Sequence, residues 1–185
     1  PWTLGGGAAG PLLEHLSEIS TRTLGSRALR IGYMAMSHAD EAFTYPTHMM
    51  RRFGDDSALF RPLVAGEDVR DFHATSREIT WFPYSTEGGH PQAEEVANRR
   101  LWFLRTELGN RAHFAGTYFS EGTPWWAWHQ VPADRAADDK TIAFAFVATH
   151  NHFVFAAEGN VFKQTSPIIK FPSGIPVSEL GLMLG

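Results

Sequence analysis

The stretch TIAFAFVATHNHFVFAAEGNVFKQ, residues 141–164, decides the fold class of this chain. Its first nine residues alternate, with Ile142, Phe144 and Phe146 on one side, which is the period of a half-buried strand. VATHNHFVF (147–155) continues as a strand, and HFVFAAEGNVFKQ (152–164) is expected to form a hairpin around Glu158-Gly159-Asn160. Working outward, SPIIKFP follows as a further extended segment. On the amino-terminal side TPWWAWHQ (123–130) reads as extended, REITWFPYS (77–85) as an aromatic-rich strand, and ALRIGYMAM (28–36) as an alternating strand with EAFTYP (41–46) as its expected partner.

Two segments break this pattern with helical spacing. PLLEHLSEIS carries Leu12, Leu13, Leu16 and Ile19 at helical intervals behind Pro11. The clearer helix is 91–108. Pro91 opens it, Glu94 and Glu95 lie in its first turn, and Arg99, Arg100 and Arg105 come later, as the macrodipole favours. Ala93, Ala97, Leu101, Leu104 and Leu108 form its apolar stripe, and Gly109-Asn110 ends it. Strands and helices mix without a βαβ rhythm, so the expected class is α+β: mixed β-sheets with a few packed helices, one of them long, near 91–108. Residues 1–10, rich in glycine, read as a linker, and 11–185 as one domain cut from a longer chain.

Composition narrows the function classes. The chain has 185 residues, enough for one domain with a real core. It has no cysteine, which removes disulfides and thiolate chemistry and fits a cytoplasmic location. No run of about 18 or more apolar residues exists, so no membrane partner is expected. The net charge of −4 argues against a simple basic nucleic-acid glue. Yet 13 of the 16 basic residues are Arg, and twelve of these lie between Arg22 and Arg111 with twelve acidic residues, so any basic patch must be made by folding. Arginine suits bidentate contact to phosphate or guanine, although a GC-rich genome produces the same bias.

The motifs exclude more than they assign. LGGGAAG lacks the Gly-Lys-Ser/Thr ending of a phosphate-binding loop. His150-Asn151-His152 is not the nuclease motif of similar spelling, whose residues are scattered over a ββα-metal fold. His150 and His152 would share one side of a regular strand, but a metal-dependent hydrolase needs a third ligand and none stands at a suggestive spacing. No catalytic residue and no metal ligand is therefore assigned. In WWAWHQ, alternation puts Trp126 and Trp128 on one face and Trp125 on the other. Both faces could be core, or one could be a stacking platform for a base or a sugar ring; the latter gives the alternative function, a carbohydrate or small-ligand module built on Trp125, Trp126 and Trp128.

Read together, several stretches resemble adenine-specific DNA methyltransferases of the TaqI-like restriction type, and nearest among these the enzymes of BREX and phage-growth-limitation systems. The residues that carry the resemblance are Arg61-Pro62-Leu63, Gly66 to Arg70, Phe82-Pro83-Tyr84, the segment from Pro91 through Leu108 to Arg111, and Trp125 to Gln130. PWTLGGGAAGPLLEHL and VFKQTSPIIKFP look like that family's specificity region. The family's Asn-Pro-Pro-Tyr/Phe catalytic motif and its Gly-rich cofactor motif are absent from this sequence. The resemblance thus implies a target recognition domain for double-stranded DNA. It needs no cofactor in this chain. S-adenosylmethionine, the catalytic methyltransferase domain of the same parent and other defence-system proteins enter as what the parent would use. Candidate DNA-binding residues, chosen for their chemistry, are Arg61, Arg70, His73, Arg99, Arg100, His129, Gln130, His150 and Asn151. On this view 147–155 is a strand near the DNA-facing side whose end carries His150, Asn151 and His152.

Overall fold

The computed structural model describes residues 9–85, 90–136, 140–156 and 159–184. Two four-stranded sheets and one small ribbon hold the chain together. The first sheet takes β1 (Arg30–Gly32), β7 (Thr141–Phe144), β8 (Phe153–Phe155) and β10 (Ile168–Lys170) in the order β1-β10-β7-β8, all antiparallel. The second takes β2 (Thr44–Pro46), β3 (Phe60–Val64), β6 (Glu78–Trp81) and β9 (Val161–Phe162) in the order β2-β6-β3-β9, with only the β3–β9 pair parallel. The ribbon is β4 (Val69–Arg70) against β5 (His73–Ala74). The helices are α1 (Ala9–Ile19), α2 (Leu24–Arg27), α3 (Asp40–Phe43), α4 (Glu94–Arg100), α5 (Arg105–Gly109), α6 (Ala133–Ala136) and α7 (Val177–Leu184). The class is α+β.

The central strands of the first sheet, β7 and β10, are buried on both faces, and period-2 alternation decides which residues go where. Ala143, Val154 and Ile168 face the main core with Phe60, Leu63, Val64, Trp81 and Phe82 of the second sheet and its exit strand. Ile142 and Ile169 face the other way, into a smaller cluster closed by Phe171, Ile175 and, from α7, Leu180. An Arg27–Glu179 ion pair fastens α2 to α7 over this cluster.

The segment around residues 63–66 connects the second sheet to the carboxy-terminal part of the chain. Lys163 N–H donates to the Val64 carbonyl at 2.9 Å, continuing the parallel pairing past β9. One step on, Gly66 N–H donates to Thr165 Oγ1 at 3.1 Å. A Cβ at position 66 would lie 2.2 Å from the Thr165 carbonyl oxygen, so the close approach depends on glycine.

Several expectations are corrected. Residues 152–164 are not a hairpin: β8 and β9 belong to different sheets, so the chain between them crosses from one sheet to the other. The hairpin is instead β7–β8, with Phe144 opposite Phe153, and VATHNH is its connecting loop rather than a strand. β1 and β2 do not pair with each other; β1 finds β10 and β2 finds β6. The helix expected over 91–108 is broken twice. Ala93 sits in the left-handed region at φ 60° and α4 starts only at Glu94. Leu101, at φ −113° and ψ 4°, then ends α4 so that it is buried while Trp102 and Phe103 turn outward; a 3-10 turn, Trp102–Leu104, leads into α5. Residues 123–130 form turns, joined to the rest by the Met36–Gln130 bridge, rather than a strand. Of the expected linker, residues 1–8 lie outside the described residues and Ala9-Gly10 are already helical. The α1 stripe of Leu12, Leu13, Leu16 and Ile19 is exposed throughout.

Candidate nucleic-acid interface

The tryptophan cluster is core. Trp125, Trp126 and Trp128 are all buried, because the 123–130 turns fold back on the second sheet. Trp128 Nε1 donates to the Trp81 carbonyl at 3.1 Å, and Trp128 N–H donates to Tyr84 Oη at 2.7 Å. The Trp128 ring meets Phe82 edge-on at 5.3 Å. No ring of the cluster is free to stack on a sugar, which removes the alternative built on it.

The nine candidate residues divide by what the fold lets them do. Arg99 and Arg100 are occupied internally. Arg99 Nη2 reaches both Asp56 carboxylate oxygens at 2.8 and 2.9 Å, and Arg100 Nε donates to Asp56 Oδ2 at 2.6 Å. Arg100 Nη2 also donates to the Phe53 carbonyl while its guanidinium covers the Phe53 ring. Burial would raise the Asp56 carboxyl; the hydrogen bonds and charges of Arg99 and Arg100 outweigh it and hold the pKa below the ordinary value.

Arg61 lies over the Phe82 ring at 5.0 Å, with Nη2 3.4 Å from the Tyr84 carbonyl. Gln130 accepts from the Tyr33 hydroxyl, and its backbone makes the bridge to Met36. His129 stacks on His38 at 3.9 Å and meets His113 and Phe114 at 5.5 and 4.8 Å. Burial first, then His38, His113 and Arg111, lower its pKa, so near neutrality it offers a neutral ring and not a cation for phosphate. Beside it Arg111 is spent on the carbonyls of Ser37, Leu108, Trp125 and Ala127, between the rings of Phe43 and Tyr118. A cavity of about 570 Å³, lined among others by Ser37, His38, Glu107, Arg111, Lys163 and Gln164, opens next to this arginine.

The remaining four candidates come together. Arg70 and His73 are opposite each other across the β4–β5 ribbon, and both are exposed. The ribbon lies against β8, close to the loop that carries His150, Asn151 and His152; His150 and Asn151 are exposed as well. Asp71 N–H donates to His152 Nδ1 at 3.4 Å, and the Asp71 carboxylate comes within 3.5 Å of the same nitrogen. The His150 and His152 rings are 6.3 Å apart and nearly perpendicular, and strand β8 begins only after them. Among the described residues no group of three or more His, Cys, Asp or Glu gathers around them as a metal site would require.

Sequence reasoning passed over the two residues at the ribbon's tip. Asp71 and Phe72 both have positive φ, 48° and 65°, as a two-residue hairpin turn of the primed type requires. Such turns favour Asn-Gly; a phenylalanine there is strained by about 1–3 kcal/mol. Phe72 is nevertheless 64% exposed, so the strain is not offset by burial of its ring. Arg70 Nη1 closes the base of the turn by donating to the Gly66 and Val69 carbonyls at 2.8 and 2.5 Å. The missed signal was the short spacing between Val69 and His73, which a turn without glycine hides.

Among the described residues no helix is long and apolar enough to cross a membrane. No family model matches the chain. Over its full length the chain is similar to the adenine-specific methyltransferase PglX of Streptomyces coelicolor, at 39% identity over 188 residues, and it covers 16% of that protein. Its fold is similar to part of MmeI, a Type IIL restriction-modification enzyme solved in complex with DNA: the TM-score is 0.58 at 10% identity, over 90% of this chain and 22% of that one. The chain is thus related in sequence to a minor segment of a much longer methyltransferase.

Proposed function

We propose that this chain is the DNA target recognition domain of an adenine-specific DNA methyltransferase of a phage-defence or restriction-modification system. The observation that carries the reading is the 39% identity to a segment of PglX along the entire chain. The shared fold with part of an enzyme captured on DNA supports it, as does the grouping of Arg70, His73, His150 and Asn151 on one exposed rim. Arginine and histidine at phosphates would set the register on the duplex, and side chains at base edges would select sequence. With a net charge of −4, non-specific affinity is expected to be weak and steeply salt-dependent.

In this reading the partners are double-stranded DNA, the catalytic domain of the same parent protein and further proteins of the defence system, all in the cytoplasm. The chain carries no Asn-Pro-Pro-Tyr/Phe motif, so transfer of the methyl group falls to the catalytic domain. That domain would hold S-adenosylmethionine and take the target adenine out of the stack.

The test is fluorescence anisotropy of a randomised duplex titrated with this chain at about 50 and 200 mM salt, a range over which phosphate contacts are strongly screened. The bound fraction is then sequenced. Salt-dependent binding with an enriched short motif is the expected result. Binding that is absent at the lower salt, or that enriches no motif, counts against recognition by this chain.

A further inference from the structure

Resting on that reading, we infer that the β4–β5 ribbon is the element that enters the major groove, with Asp71 and Phe72 as its base-reading tip. A two-stranded ribbon is one of the two elements a major groove admits. This one projects a carboxylate whose side chain is 89% exposed and an aromatic ring that is 64% exposed. Neither group suits the phosphate backbone: a carboxylate is repelled there, and a bare ring gains nothing. Both suit the floor of the major groove. A carboxylate accepts from the exocyclic amino group of cytosine or adenine, and an apolar side chain packs on the thymine 5-methyl. The minor groove, with its stronger negative potential, disfavours Asp71.

The flanking geometry fits the same task. Arg70 and His73, paired at the two corners below the tip, are placed to meet the phosphates on either side. The ribbon is anchored at its base by Val69, which is fully buried, and at its tip by the Asp71–His152 contact, so the two reading groups are held rather than loose. Both tip residues hold positive φ and both are exposed, so the strain at Phe72 is kept at a position where its ring is open to a partner.

The experiment is selection from the randomised duplex with the unaltered chain, with Asp71→Asn and with Phe72→Ala, each first checked for native circular dichroism. The selected site is then remade with deoxyuridine in place of each thymine, which removes only the 5-methyl group. For the unaltered chain, one thymine is expected to lose several-fold in affinity when its methyl is removed. Phe72→Ala should bind the two duplexes equally. Asp71→Asn should relax the preference, on the order of tenfold, at one neighbouring position whose base carries a major-groove amine, and leave the others unchanged. If the unaltered chain selects a motif and both variants select it equally well with the same thymine dependence, the ribbon is not the reader, while recognition by the domain stands. If the unaltered chain selects nothing, the recognition reading fails and this inference with it.

Discussion

The backbone of Gly66 packs against Thr165: its N–H donates to the side-chain Oγ1 of Thr165, and a methyl group added to it would fall 2.2 Å from the Thr165 carbonyl oxygen. This is where the β3 exit meets the carboxy-terminal part of the chain, beyond the parallel β3–β9 pair. Because the clash is with backbone, no side-chain rotation relieves it. Gly66→Ala is therefore expected to cost about 2 kcal/mol or more through forced displacement. Urea unfolding should show a lowered midpoint at an unchanged slope. A midpoint within error of the unaltered chain would mean that the two segments are not packed this closely.

Tyr84 is tested by deleting one atom. Its hydroxyl accepts from the buried Trp128 N–H at 2.7 Å, and burial raises its pKa far above the ordinary phenol value, so it stays protonated across the working range. Tyr84→Phe removes the acceptor and leaves a buried N–H unsatisfied, which costs about 1–3 kcal/mol. Thermal unfolding of the two proteins side by side decides it. An unchanged Tm would show that water or another group satisfies Trp128.

How far the fold could be read from the sequence depended on the range of the contacts involved. The α+β class followed from local signals, alternation over 141–149, an aromatic-rich run over 77–85 and helical spacing elsewhere without a βαβ rhythm. Pairing did not follow: Arg30 lies opposite Lys170, and nothing in either short segment names the other. The break at Ala93 and Leu101 was hidden because alanine and leucine are good helix formers, and only burial of Leu101 against the core overrides them. The same holds for the site. Alternation left open whether one tryptophan face was free, but alternation presupposes a strand, and the 123–130 turns bury all three rings. Asp71-Phe72 went unnoticed because its chemistry, exposure at positive φ, belongs to the fold and not to the residue types.

Asp56 gives a pH prediction. Its folded pKa is depressed by Arg99 and Arg100, so its contribution to stability is complete above the unfolded carboxylate value of about 3.9 and fades as pH falls through the lower folded value. Asp56→Asn should therefore be less stable than the unaltered chain at pH 7, with the gap closing progressively below about pH 4. Urea midpoints measured between neutrality and pH 3 provide the comparison. A gap that is constant across the range would assign the loss to packing rather than to the charged pair with the two arginines.

The same arginines supply the control for DNA binding. Arg70 is exposed at the corner of the ribbon, and beyond the Nη1 bonds to Gly66 and Val69 its other guanidinium nitrogens make no hydrogen bond among the described residues. Arg99 is exposed as well but has its Nη2 committed to Asp56. Composition does not distinguish them; geometry does. Arg70→Ala should weaken binding to the selected duplex and reduce the slope of log K against log salt by about 1, the signature of one lost phosphate contact. Arg99→Ala should leave that slope unchanged and register instead in the urea midpoint. Anisotropy titrations at several salt concentrations separate the two outcomes. A loss of slope in Arg99→Ala with none in Arg70→Ala would falsify the assignment of the DNA-facing rim to the ribbon and the 145–152 loop, and would move it to the α4 face.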